Sequence, residues 1–233
     1  MTSSIPPSSP QMILNLETKL AYCKEDFFIG PSNKIAFETL MTTWPRWPAC
    51  GQIVVGPQGS GKTHLATIWQ TMTQGIFLKS DLDFEKLHQD LRNNNKKPAV
   101  ILDFNEFPGE MTESILFHLY NLVNEYQGHL LILSRHLPQT WPLTLPDLKS
   151  RLFSLPVQQL NDPDDEVLGA VLRKRFSDYQ MVLSENVFAY VISRIDRSFK
   201  AIHDFTDRVN LEALSRKKNI NLSLAKMCLG SVK

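Results

Sequence analysis

Gly56-Pro57-Gln58-Gly59-Ser60-Gly61-Lys62-Thr63 carries the densest chemistry in this chain of 233 residues. It matches the phosphate-binding loop G-x-x-x-x-G-K-[ST], with the apolar run Gln52-Ile53-Val54-Val55 before it and His64-Leu65-Ala66-Thr67-Ile68-Trp69 after it. A strand, a loop and then a helix is the context this motif requires. Gly59 and Gly61 let the backbone curl so that its N–H groups converge on phosphate oxygens. The helix beginning near Lys62 adds its positive N-terminal end. Lys62 is placed to reach the β- and γ-phosphates, and Thr63 to offer its hydroxyl to Mg²⁺.

A second chemical feature lies downstream. Ala99-Val100-Ile101-Leu102-Asp103 is an apolar run ending in a carboxylate. Beside a phosphate loop in a parallel sheet, an acid at a strand's C-terminal end holds Mg²⁺ through water. Asp103 fits that role, the plainer reading being an Asp that only ends a strand. Many hydrolysing phosphate-loop proteins place another acid directly afterwards to polarise the attacking water. Here that position is Phe104, and Glu106 is the displaced substitute. Nucleotide binding with poor intrinsic hydrolysis is the expectation. Ser134 ends the apolar run Leu130 to Leu133 and either senses a γ-phosphate or starts a turn. Phe28 and Ile29 either line an adenine pocket or belong to the core.

The elements that must position these residues are legible in the pattern. Ser32 or Asn33 is placed to cap a helix over 34–40. Ile76-Phe77-Leu78 reads as a short buried strand, Asp83 to Leu91 as a short helix, Arg92 to Pro98 as a polar loop and Met111 to Tyr126 as an amphipathic helix. Pro138, Pro142 and Pro146 make the next segment irregular. After the turn Asn161-Asp162-Pro163 the pattern is helical only, at roughly 164–178, 184–195, 198–216 and 222–228, with Ser184 suiting a helix start. The expected organisation is a tail over 1–24, a nucleotide-binding α/β domain over 25–160 and a helical lid over 161–233. The fold class is α/β, a phosphate-loop module with a central parallel sheet followed by an all-helical subdomain.

Composition narrows the class. A hydrophobic content of 42% supports a proper core, and a net charge of +1 argues against nucleic acid held on a broad basic face. The odd and scattered Cys23, Cys50 and Cys228 read as free thiols in a reducing, cytoplasmic setting. The histidines show no metal spacing and read as helix-surface or loop residues. No apolar run reaches the length of a membrane span, and no signal peptide is visible. The Ser- and Pro-rich start, MTSSIPPSSP, reads as a disordered tail. The apolar stretch Gln11 to Leu16 behind it either docks on its own domain as an edge strand or inserts Leu14 and Leu16 into a partner, with Gln11 bonding beside them.

Taken together, these features resemble an AAA+ module, and more closely the Hda-type regulators, homologues of the bacterial replication initiator DnaA that lack its DNA-binding domain. The resemblance is carried by Glu25 to Asn33, Trp44-Pro45-Arg46-Trp47-Pro48, Gly56 to His64, Leu145-Pro146-Asp147-Leu148-Lys149-Ser150-Arg151-Leu152 and Arg194 to Phe199. These segments span nearly the whole chain in the family's order. The loop alone is generic, whereas the L-P-D-L-x-S-R-L segment and the double Trp-Pro run are more specific.

The resemblance implies several roles. Gln11, Leu14 and Leu16 fall at the family's motif for binding the DNA polymerase sliding clamp. Arg151 matches the arginine finger, a cation offered to a nucleotide held by a neighbouring subunit. Arg197 falls at the sensor II position, with Lys200 as runner-up. The bound cofactor is ADP or ATP with Mg²⁺, held by Gly56 to His64 with Asp103. The partners are DnaA, the clamp and a second copy of the chain as a dimer. Direct sequence-specific DNA binding is not expected, because the chain stops near Lys233 without a helix-turn-helix domain. The implied function is to couple the clamp to DnaA and to stimulate hydrolysis of DnaA-bound ATP, preventing over-initiation. The rival expectations are an active AAA+ ATPase that loads or remodels a replication protein and a pure adaptor whose nucleotide site is structural.

Overall fold

The computed structural model describes residues 27–94, 96–104, 112–216 and 220–230. Five parallel strands form the sheet: β1 (Gly51–Val55), β2 (Ile76–Phe77), β3 (Ala99–Phe104), β4 (His129–Ser134) and β5 (Val157–Gln159). Their spatial order is β2-β3-β4-β1-β5. The helices are α1 (Lys34–Thr42), α2 (Lys62–Thr73), α3 (Asp81–Asn94), α4 (Glu113–Glu125), α5 (Pro146–Phe153), α6 (Asp165–Asp178), α7 (Glu185–Ile192), α8 (Phe199–Arg216) and α9 (Leu222–Gly230).

Strand side chains alternate between two cores, as a period of two requires. Ile53, Val55, Val100, Leu102, Phe104, Leu130 and Ile132 face α3, α4 and α5. Val54, Ile101, Leu131 and Leu133 face α1 and α2. Both faces are covered, so the strands read as continuous apolar runs. A third core, drawn from α6 to α9, packs Leu168, Leu172, Phe176, Val191, Phe205 and Val209.

Trp69 anchors the α2 side, fully buried and stacked on Trp47 with ring centroids 5.4 Å apart. Trp69→Ala is expected to lower stability by about 3–5 kcal/mol, the range for a large aromatic removed from a packed core. Denaturant unfolding followed by far-UV circular dichroism checks this.

Several local expectations are corrected. Ile76 is 41% exposed because β2 is the sheet's edge strand, so the strand is not buried. Asn33 precedes α1 without capping it. Its side chain turns back, accepting from Gly30 N (3.0 Å) and donating to Phe28 O (2.9 Å). Ser184 likewise makes no capping bond at α7. Helix α3 extends to Asn94, taking in the first residues of the expected polar loop. The proline-rich segment contains the two-turn helix α5, with Pro146 in its first turn, where a missing N–H costs nothing.

Candidate nucleotide-binding site

Parallel strands put all their C-terminal ends at one edge of the sheet, where the site is built. Residues 56–61 leave the end of β1 and enter α2 through Gly61. Gly59 (φ 75°) and Gly61 (φ 90°) both occupy the left-handed region that glycine favours. Gly56 N donates to Ser134 O at 3.1 Å, fixing the loop to the end of β4. Lys62 is buried at the start of α2, and its Nζ donates to Gly56 O (2.7 Å) and Pro57 O (2.8 Å). Burial pushes the Lys62 ammonium below its ordinary pKa, Asp103 opposes this, and Arg135 adds to the lowering. Thr63 Oγ1 donates to Asp103 Oδ2 at 3.1 Å, joining the start of α2 to β3.

These residues fit a Mg²⁺-nucleotide. The loop holds a buried lysine against its own carbonyls, and the buried Ser60 hydroxyl has no hydrogen-bond partner among the described residues. The Thr63–Asp103 pair supplies the hydroxyl and carboxylate that a hard divalent cation takes directly or through water.

The helical part closes over the loop at the start of α8. Phe199 N donates to Gly59 O at 3.2 Å. A Cβ added at Gly59 would lie 2.8 Å from Lys200 N, so glycine is needed there for space as well as for its φ. Arg197 instead forms an exposed ion pair with Asp165 on α6, Nη1 to Oδ1 at 2.8 Å. The backbone of the helical portion against the phosphate loop is therefore that of Phe199 and Lys200, while the Lys200 ammonium pairs with Asp204.

Near the expected adenine pocket, Phe27 is buried against Phe37 (5.4 Å between centroids) and meets His64 edge-on (5.2 Å). Phe28 is half-buried, and Ile29 is 50% exposed. A Cβ at Gly30 would collide with Val167 Cγ2 at 2.3 Å, so this segment packs tightly on the start of α6.

The histidines are not uniformly surface residues. Burial pushes His129 and His203 below the ordinary imidazole pKa. At His203 the Arg175 charge and His64 add to the lowering, and Asp207 and Asp204 oppose it. A depressed folded pKa means the unfolded chain binds the proton more readily. Stability is then intact above the unfolded value of about 6.5 and is lost as pH falls below it. Thermal unfolding between pH 7.5 and pH 5 is expected to show a falling midpoint, and His203→Gln to flatten part of that slope.

At the end of β4, Ser134 Oγ donates to His136 O (2.9 Å) and accepts from His136 N (3.1 Å) and Trp141 Nε1 (3.2 Å). The hydroxyl is thereby engaged in the turn. Phe104 faces the opposite side of β3 from Asp103, packing edge-on to Trp141 with centroids 6.0 Å apart.

Arg151 lies at the other edge of the sheet. Its guanidinium sits over Phe117 (5.1 Å) and Tyr120 (5.4 Å) of α4 and donates to Asn121 Oδ1. Tyr120 is hydrogen-bonded with Cys50, the residue just before β1. The length of β1, about 17 Å at ~3.3 Å per residue, separates this corner from the chain's own phosphate loop. One side chain does not span that gap, so Arg151 does not reach the nucleotide its own chain would hold.

Comparison with known proteins agrees with this geometry. The chain is 25% identical over 91% of its length to the chromosomal replication initiator protein DnaA of Caldanaerobacter subterraneus subsp. tengcongensis, covering 52% of that protein. DnaA of Nautilia profundicola is 22% identical over 97% of the chain, with 55% of that protein covered. The chain therefore spans about half the length of the curated relatives it matches. No family model matches it. Domain III of Thermotoga maritima DnaA superposes with a TM-score of 0.72 at 21% identity, covering 90% of this chain and 96% of that one. A DnaA structure bound to AMPPCP and single-stranded DNA superposes at 0.61 and 20% identity, covering 84% of this chain and 67% of that one. The Thermotoga maritima RuvB branch-migration motor gives 0.66 at 18% identity, with 88% and 70% covered.

The fold is that of an AAA+ phosphate-loop module with a helical C-terminal portion. The sequence is homologous to the AAA+ region of DnaA.

The structure brings Gly56 to Thr63, Asp103 and the end of β4 together, and leaves Arg151 apart. Gln11, Leu14, Leu16, Cys23 and Glu106 lie outside the described residues. Among the described residues, no group of histidine, cysteine, aspartate and glutamate side chains is placed to hold a metal by itself. No described helix is long and apolar enough to cross a membrane. Sequence reasoning missed Arg135, whose position directly after β4 was the available clue. It also missed the tight approach of Lys200, which needed the exact start of α8.

Proposed function

We propose that the chain is a nucleotide-binding regulator of replication initiation that acts on the ATP of DnaA. Residues 25–160 form the nucleotide-binding module, 161–233 the lid, and 1–24 a tether whose Gln11, Leu14 and Leu16 engage the sliding clamp. The observation that carries the reading is the placement of Arg151. It is held at the sheet edge opposite the chain's own loop, by neutral partners that leave its charge available to a neighbour. Homology to DnaA supports an AAA+ module as that neighbour.

In this reading, the amides of 56–61 and the Lys62 ammonium hold the chain's own ADP or ATP. Thr63 and Asp103 hold its Mg²⁺, and the loop becomes a fixed hinge for the lid. Bound nucleotide supplies charge for these groups to organise around. Arg151 meets the γ-phosphate held by DnaA and stabilises the negative charge that develops as the bond to the β-phosphate breaks. Phe104 on the core side of β3 supports weak turnover in the chain's own site.

The test is phosphate release from ATP-loaded DnaA, with clamp on DNA and this protein added. Stimulation supports the proposal, and a flat rate contradicts it. Deleting residues 11–16 is expected to abolish clamp pull-down.

The intact Lys62 and Thr63–Asp103 geometry favours one rival, an ATPase acting through its own hydrolysis. Substantial turnover without DnaA, lost in Lys62→Ala, would establish it.

A further inference from the structure

Helices α4 and α5 are tied to each other at both ends. At the site edge, the Glu113 carboxylate at the start of α4 accepts from Thr144 N (2.9 Å), Thr144 Oγ1 (3.0 Å) and Leu145 N (2.8 Å), just before α5. These bonds, Leu145's first, hold the Glu113 carboxyl below its ordinary pKa. No residue of α5's own start caps it with a side chain, so Glu113 does this from a neighbouring helix. At the far edge, Arg151 in the last turn of α5 returns the contact, bonding Asn121 and lying over Phe117 and Tyr120.

The character of the far contact matters. Arg173, Arg175 and Arg197 each pair with a carboxylate, Glu185, Asp207 and Asp165 respectively. Among the described residues, Arg151 has no carboxylate partner. Asn121 is neutral, and the Tyr120 hydroxyl is pushed up to about 12, chiefly by burial and next by its hydrogen bond with Cys50, so it carries no charge near neutrality. Aromatic faces and an amide oxygen fix a guanidinium in direction without cancelling its charge.

We propose that Asn121 and Tyr120, with Phe117, are positioning residues that aim Arg151 at a partner's phosphate, and that Glu113 braces the helix carrying it. This deepens the reading of Arg151 as a group acting in trans and rests on it. An unaimed arginine must be ordered at the moment of reaction, at an entropic cost that a held one has already met.

The experiment has two arms. The first reads the Arg151 side chain in the free protein, by the chemical shift and order of its Nε–H resonance. Wild type is expected to show a ring-shifted, ordered resonance. Asn121→Ala and Tyr120→Leu should each move it toward the free-arginine position and lower its order, and Tyr120→Phe, which keeps the ring, should preserve it. The second measures stimulated hydrolysis of DnaA-bound ATP against concentration of this protein. Asn121→Ala and Tyr120→Leu should lower the maximal rate about tenfold, the order of one charge-assisted hydrogen bond, with an unchanged half-saturating concentration. Tyr120→Phe should retain it. An unshifted, mobile Arg151 resonance in wild type overturns the inference. So does a wild-type maximal rate in Asn121→Ala when Arg151→Ala has lost it. If Arg151→Ala itself stimulates as wild type does, the parent reading fails, and the first arm separately shows whether the side chain is held.

Discussion

Arg151→Ala is expected to cut the stimulated rate of DnaA-bound ATP hydrolysis by about 10³–10⁵-fold, the range for an arginine finger in other nucleotide hydrolases. Docking and clamp binding should survive. The size of the effect follows from where the charge acts. A guanidinium brought to a γ-phosphate in a site that excludes water stabilises developing charge far more strongly than in bulk solvent. Arg151→Lys should recover only a small part, because an ammonium lacks the planar fork. The fold should be retained although the tie to Asn121, Phe117 and Tyr120 is lost, since Leu148 and Leu152 anchor α5 in the core. Single-turnover phosphate release checks the rate, and circular dichroism checks the fold.

Lys62→Ala carries the second-largest expected effect, on the chain's own nucleotide. Affinity for ADP and ATP should fall by about 10²–10³-fold, as expected when one buried cation and more than one charge-assisted phosphate contact are lost. Two nearby cations of the helical part are engaged elsewhere, and Arg135 beyond β4 lies outside the loop. Lys62 Nζ is enclosed by Gly56 O and Pro57 O, Lys200 directs its ammonium to Asp204, and Arg197 pairs with Asp165. Because Phe199 N donates to Gly59 O, an empty loop should also loosen the lid. Isothermal titration with ADP tests the affinity, and hydrogen exchange at 198–202 tests the lid. Affinity within twofold of wild type would contradict the assignment of Lys62.

The parts of the fold that were legible in the sequence are those whose pattern is local. The phosphate loop is fixed by four residue types at set spacing. Strands β1, β3 and β4 announce themselves as apolar runs because both faces are buried. The C-terminal helices start and stop within a few residues of expectation, since Asp164 and Asn221 bond the first turns of α6 and α9 and the apolar periodicity is strong. Strand β5 was not legible. It has three residues, two of them glutamines, and exists because β1 offers it a partner. Asn33 misled because an N-cap residue type also satisfies a backward turn. Arg197 and Lys200 are separated by where α8 begins, which Ser198 marks by accepting from Ala201 N at 3.1 Å. The setting of Arg151 depends on contacts about thirty positions away in sequence, so the proposed finger role came from the family resemblance and the surrounding contacts only from the fold.

The central claim is that the reaction takes place on a neighbour's ATP. It is tested most directly by loading this protein with a non-hydrolysable ATP analogue, loading DnaA with radiolabelled ATP, and measuring phosphate release on clamp-bearing DNA. The account predicts release at the full stimulated rate, lost when Arg151→Ala replaces the wild type. Release that stops because this chain's own nucleotide cannot be cleaved would contradict it.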